Sequence, residues 1–213
     1  METLKSPPEQ KVFLENVSWQ TYERLLAERE ERRKPRFFYD QGVLEIVSPS
    51  TEHEAVSRTV ALLVQLLTAE LGIDLFSAGS TTFRREDLER GFEPDECFYF
   101  SENAGHARNV GDIDLSTDPP PDLVVEIDVT SPSLNKLPVY ARLGISEVWR
   151  FSSGQAEILL LNANGDYEAS STLTSRVLPS LTGEALKTLV EDGLRLNHPE
   201  WVQRVRRWAH ESQ

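Results

Sequence analysis

At 213 residues, with 27% charged and 39% hydrophobic residues, the chain has the length and balance of one globular domain that can bury a full core. It contains no apolar run of eighteen residues, its start lacks a signal-like apolar stretch, and its single Cys97 excludes an internal disulfide, so a cytoplasmic address away from membranes is expected. The net charge of −13 sits in the middle, where residues 40–151 hold 8 Lys/Arg against 20 Asp/Glu; such a field repels phosphate backbones at long range and suits a site that gathers divalent cations, although a solvated acidic surface explains it equally.

In chain order, residues 1–17 carry Pro7-Pro8 and no periodic pattern, and read as a frayed start. Ser18 then caps a helix with Trp19, Tyr22, Leu25 and Leu26 on its apolar side, ending near Pro35. The basic cluster Arg29, Arg32, Arg33, Lys34 and Arg36 is interleaved with glutamates and reads as a solvated helix end. Arg36–Tyr39 and Val43–Val47 form a hairpin turned at Gly42. A long helix follows, with Thr51 and Glu54 at capping-box spacing, an apolar stripe from Val56 to Leu71, and a stop at Gly72. Glu52 and His53 occupy its first turn, where an acid also favours the positive helix end and His53 reads as a packing or hydrogen-bonding residue.

Leu75–Arg84 reads as a strand region broken at Gly79, and Glu86–Gly91 as a charged turn. Pro94-Asp95 opens an aromatic strand through Phe100, with Asp95, Cys97 and Tyr99 on one face; residues 101–119 read as a polar loop. Leu123–Val129 is the central strand. Leu123, Val125, Ile127 and Val129 line one face, while Val124, Glu126 and Asp128 share the other. Two neighbouring carboxylates in an apolar strand require cationic partners or an open cleft, because burying an unpaired anion costs several kcal/mol. Ser131 or Ser133 caps a short helix carrying Lys136 and Tyr140, and the strand from Glu147 completes a parallel crossover. A hairpin over residues 155–173 extends the sheet, and two helical patterns, Leu181–Val190 and Trp201–Trp208, close the chain. His106, His198 and His210 have no partner at zinc-ligand spacing.

Several motifs stand together: Ser48-Pro49-Ser50 before Glu52-His53, Pro94-Asp95, Pro121-Asp122-Leu123-Val124-Val125-Glu126, Thr130-Ser131-Pro132-Ser133, and Tyr140-Ala141-Arg142-Leu143-Gly144 before Glu147-Val148-Trp149. With these the chain resembles the PD-(D/E)xK nuclease superfamily, and more narrowly the Uma-type restriction endonuclease family, over residues 36 to 162. The resemblance implies an α/β, restriction-endonuclease-like core over 36–175, a mixed sheet flanked by helices. A helical extension (1–35) precedes it, and C-terminal helices (176–213) pack on the core or on a dimer partner. It implies an endonuclease that hydrolyses DNA with Mg²⁺ or Mn²⁺. Glu52, Asp95, Glu126 and Lys136 are the expected catalytic residues, and Asp95, Glu126, the Ile127 carbonyl and Asp128 the expected metal ligands. The motif's lysine, two positions after Glu126, is replaced by Asp128, so Lys136 is expected to substitute. Two rivals remain open at this point: a catalytically silent nuclease-like binding or assembly module, and a carboxylate hydrolase acting on sugars, whose two acids would have to face each other across a cleft. A homodimer is expected.

Overall fold

The computed structural model describes residues 9–29, 35–110, 113–128, 134–169 and 174–212. β1 (Gln10–Leu14) lies where the sequence suggested a frayed start. It pairs antiparallel with β3 (Val43–Ser48), and β3 pairs with β2 (Arg36–Asp40) through a turn in which Gln41 and Gly42 both take positive φ, 45° and 96°. Between β1 and β2, α1 (Trp19–Glu28) is capped by the Ser18 hydroxyl, which accepts the Thr21 amide. α2 (Thr51–Leu71) starts one residue earlier than capping-box spacing suggests: Ser50 is the cap, accepting the His53 amide, and the helix stops at Gly72 in the left-handed region.

The stretch 75–85 divides at Gly79 (φ 58°), and its two halves enter different sheets. β4 (Leu75–Ser77) pairs with β7 (Glu96–Phe100), while β5 (Phe83–Arg85) pairs with β6 (Arg90–Phe92). Residues 101–109, read as loop, form α3 (Ser101–Asn109); Asp122, at the foot of the central strand, accepts the Phe100 amide and the Asn103 side chain at the helix start. β8 (Leu123–Asp128) is the expected central strand, and α4 (Leu137–Arg142) carries the crossover to parallel β9 (Glu147–Ser152). The expected caps Ser131 and Ser133, with Val129 and Thr130, lie outside the described residues. β10 (Gln155–Leu161), β11 (Tyr167–Ala169), α5 (Gly183–Arg195) and α6 (His198–Glu211) complete the chain.

The β2–β3 hairpin does not join the sheet that holds β8. Two sheets form instead: an antiparallel one ordered β1-β3-β2-β6-β5, and a mixed one ordered β11-β10-β9-β8-β7-β4 whose parallel pair is β8–β9. Strand alternation on β8 then sorts the core. Leu123, Val125 and Ile127 pack with the α2, α5 and α6 stripes, including Val60, Leu67 and Trp201. On the other face Val124 packs with Phe38, Phe83 and Phe92 of the antiparallel sheet and with Tyr140 of α4. α1 covers the far side of the antiparallel sheet through Trp19 and Tyr22 against Tyr39. Glu147, fully buried at the head of β9, accepts the Trp149 indole at 2.6 Å and the Arg176 amide at 2.7 Å, which gives that motif a packing role.

Gly193 makes the α5–α6 contact possible. A Cβ there would lie 2.6 Å from Thr59 Cγ2 and 2.7 Å from Trp201 Cε2. The Trp201 ring cannot yield, because it is buried and its indole donates to the Leu189 carbonyl at 2.8 Å. Gly193→Ala should therefore destabilise by about 1–3 kcal/mol rather than stabilise by the roughly 1 kcal/mol that helix propensity favours; the urea midpoint decides the sign.

Candidate active site

Asp95 precedes β7 by one residue, and the register Glu96↔Val125 places it beside Glu126 where β7 and β8 part. The Asp95 carboxyl closes that gap by accepting the Ile127 amide on Oδ2 at 2.6 Å. Its Oδ1 receives His53 Nε2 and Arg36 Nη1, each at 2.8 Å. His53 in turn binds Glu9 through Nδ1 at 2.8 Å, and Lys11 Nζ lies 2.9 Å from Glu9 and 3.5 Å from Asp128. Glu126 Oε2 accepts Lys136 Nζ at 2.5 Å, and its Oε1 accepts the Tyr140 hydroxyl. Asp95 and Glu126 are 5% and 6% exposed, so these contacts form in a largely dry setting where unpaired charge is costly.

Burial raises the Asp95 carboxyl, but the His53 hydrogen bond and the Arg36, His53 and Lys136 charges outweigh it and hold the group at about 2. Burial pushes Glu126 up to about 7 against the opposing Lys136 charge, with the Asp95 charge adding to the rise. Burial lowers His53, yet the bonds to Asp95 and Glu9 carry it to about 9, while Arg36 opposes. Burial likewise lowers Lys136, and the Glu126 and Asp95 charges more than offset it, so the amine stays above its ordinary range. The two carboxylates are therefore separated in acidity, a pattern typical of sites that handle protons and charge.

The expected residues distribute as follows. Asp95, Glu126 and Lys136 converge, with Ile127 supplying a main-chain N–H. Asp128 stands at the rim beside Lys11 with its side chain 21% exposed. Glu52 makes no hydrogen bond or ion pair with them among the described residues: it is exposed and lines a cavity of about 220 Å³ with Ile127, Asp128 and Lys187. One helical step of about 100° separates it from His53, which points inward instead. Arg29 and Arg36 are not a solvated helix end. Arg29 binds Glu93 and lies over the Phe37 ring, and Arg36 binds Asp95; Arg32, Arg33 and Lys34 lie outside the described residues.

Sequence reasoning missed Glu9, Lys11, Arg36 and His53 as members of the cluster, and also Tyr140. Tyr140 carried a signal, since it follows Lys136 by one helical turn and so shares its face. So did Glu45, a lone acid between Leu44 and Ile46 on β3. It is fully buried, neither of its oxygens has a well-formed hydrogen bond, and burial raises it while the Lys136 and Lys11 charges oppose. Glu9 and Lys11 had no local signal. Tyr140→Phe should lower stability by about 1–3 kcal/mol, because Glu126 Oε1 loses its donor in a buried setting, and thermal melting reads the loss.

The Uma2 family model, described as Putative restriction endonuclease, matches residues 19–191. The chain belongs to the Uma2 family. This family lies in the restriction-endonuclease-like superfamily, and two sheets flanked by helices are consistent with that fold. No curated protein matches the chain. No helix among the described residues is long and apolar enough to cross a membrane.

Two carboxylates meet at a strand divergence, and the Ile127 carbonyl shares the strand edge of the amide that reaches Asp95, so the donors are oxygens, the type a hard cation takes. The same oxygens are engaged by Lys136, Tyr140, His53, Arg36 and the Ile127 amide, and no three His, Cys, Asp or Glu among the described residues are grouped as ligands. A cation at Glu126 therefore has to compete with Lys136 for Oε2.

Proposed function

We propose that this Uma2 protein is a divalent-cation-dependent endonuclease that hydrolyses DNA phosphodiester bonds. The observation that carries the reading is the meeting of Asp95 and Glu126, from different strands, beside the Lys136 ammonium. Asp95, Glu126 and the Ile127 carbonyl would hold Mg²⁺ or Mn²⁺, with Asp128 at the rim; when bound, the ion neutralises phosphate charge and lowers the pKa of a water. Lys136, kept charged by its two acidic neighbours, compensates negative charge that builds on the phosphate oxygens in the transition state. It thereby serves in place of the motif lysine whose position Asp128 occupies. Tyr140 fixes the Glu126 carboxyl, and Arg36 with His53 keeps Asp95 ionised and oriented.

Cleavage of plasmid and oligonucleotide DNA, with and without Mg²⁺ or Mn²⁺, tests this. Metal-dependent products that disappear in Asp95→Asn and Glu126→Gln are expected, whereas cleavage that persists in both variants or without metal refutes the reading. The complete occupation of both carboxyls by donors of the chain itself favours a second reading, a silent nuclease-like binding module. Isothermal titration separates the two, since the module should show no Mn²⁺ binding that depends on Asp95.

A further inference from the structure

A cleft of about 820 Å³ opens beside the cluster, and Arg36 spans the two: its Nη1 binds Asp95 at 2.8 Å and its Nη2 binds Glu54 on the cleft wall at 3.0 Å. Four guanidiniums line it, Arg29, Arg36, Arg58 and Arg84, against the carboxylates of Glu23, Glu54 and Glu93. In a chain of net charge −13 this local balance is reversed. Two of the four are committed: Arg29 to Glu93 and Arg36 to Asp95. The other two are available to a ligand. Arg58 is exposed and makes no ion pair among the described residues, and Arg84, 51% exposed, holds Glu23 at 3.2 Å in a surface pair that water makes weak. Ser77 and Ser80 supply hydroxyls to the lining beside Thr81 and Thr82, whose hydroxyls already donate to the Ala78 carbonyl and to Glu93, and Leu26, Phe76 and Ile113 give an apolar lining.

We propose that this cleft takes a single strand of nucleic acid, whose phosphates next to the scissile one lie on Arg58 and Arg84. The assignment of the scissile phosphate rests on the nuclease reading above; the binding does not. Spare cations, hydroxyl donors and an apolar surface match the backbone, sugars and bases of an unpaired strand.

Fluorescence anisotropy with the full chain in EDTA, on a labelled strand of about 12 nucleotides and on the same sequence as a duplex, tests the proposal without cleavage. The single strand should bind about tenfold or more tighter than the duplex, because only it enters the cleft. Arg58→Glu combined with Arg84→Glu should weaken single-strand binding by about tenfold or more and shallow the log–log salt slope by about 1.4, two contacts at roughly 0.7 each. Arg207→Glu, at an exposed position of α6, should leave both unchanged. If circular dichroism shows that the double variant is misfolded, Arg58→Ala serves, with a slope change of about 0.7. Equal or tighter duplex binding, no binding of either form, or unaltered binding by the correctly folded variant overturns the proposal. Single-strand binding without any cleavage overturns only the nuclease reading, and cleavage without single-strand preference overturns only the cleft assignment.

Discussion

Asp95→Asn is expected to lower DNA cleavage by about a hundredfold to a thousandfold, the scale seen when a group that positions transition-state charge is removed. It should also change how stability depends on pH. Asp95 accepts three donors, from Ile127, His53 and Arg36, and an amide offers one acceptor oxygen and an NH₂ group that must face one of those donors. The direct cost is about 1–3 kcal/mol; Asp95→Ala, which leaves His53 with Glu9 alone and Arg36 with Glu54 alone, should cost about 3–5 kcal/mol. The pH signature comes from His53. Its folded pKa is raised from 6.5 to about 9, so its protonation adds stability that is fully present below pH 6.5 and is lost as pH rises through 9, about 3 kcal/mol in all. Urea denaturation of the wild type at pH 6, 7.5 and 9 should show this decline. The Asn variant should show a flatter one, since one of the two carboxylate bonds that hold the imidazolium is gone and only Glu9 remains. Parallel declines in the two proteins would mean that Asp95 does not hold the His53 charge.

Lys136→Met should abolish cleavage to a similar degree, because the ammonium is the cation of the chain that touches Glu126. Its effect on folding should be smaller than breaking a buried ion pair usually implies. Glu126 already sits at about 7 with Lys136 beside it, and without the amine its carboxyl takes up a proton at neutral pH instead of remaining a buried anion. The stability loss should therefore be about 1–3 kcal/mol at pH 7 and shrink toward pH 5, where Glu126 is neutral in the folded state. Adding Glu126→Gln should recover most of the stability and none of the activity. A double-mutant cycle on melting midpoints measures the coupling, and additive losses would mean that the Lys136–Glu126 contact is not formed in solution. An unchanged cleavage rate in Lys136→Met would remove this lysine from the proposed chemistry.

The parts of the fold legible in the sequence were those set by local rules. The α2 stripe, the Gly42 hairpin turn, the alternation on β8 and the β8–α4–β9 crossover depend on periodicities of 3.6 and 2 and on turn chemistry, which residues a few positions apart encode. α3 was missed because Ser101–Asn109 has a weak apolar pattern and is held by Asp122, distant in sequence. β1 was missed because a five-residue edge strand takes its stability from pairing with β3 rather than from its own propensity.

The candidate site divides in the same way. Sequence by itself determined the family resemblance and singled out Asp95, Glu126 and Lys136 as candidates, since each rests on residue identity within a short window. Only the tertiary structure decided which cations meet those acids. Lys11 arrives on β1 of the antiparallel sheet with Glu9 just ahead of it, Arg36 from β2 on the other side of β3, and His53 rather than Glu52 from the first turn of α2. That selection follows from burial. In a dry site each anion needs a cation or hydrogen-bond donor within contact distance, and the side chains able to supply one are fixed by how sheets and helices pack, not by their spacing along the chain.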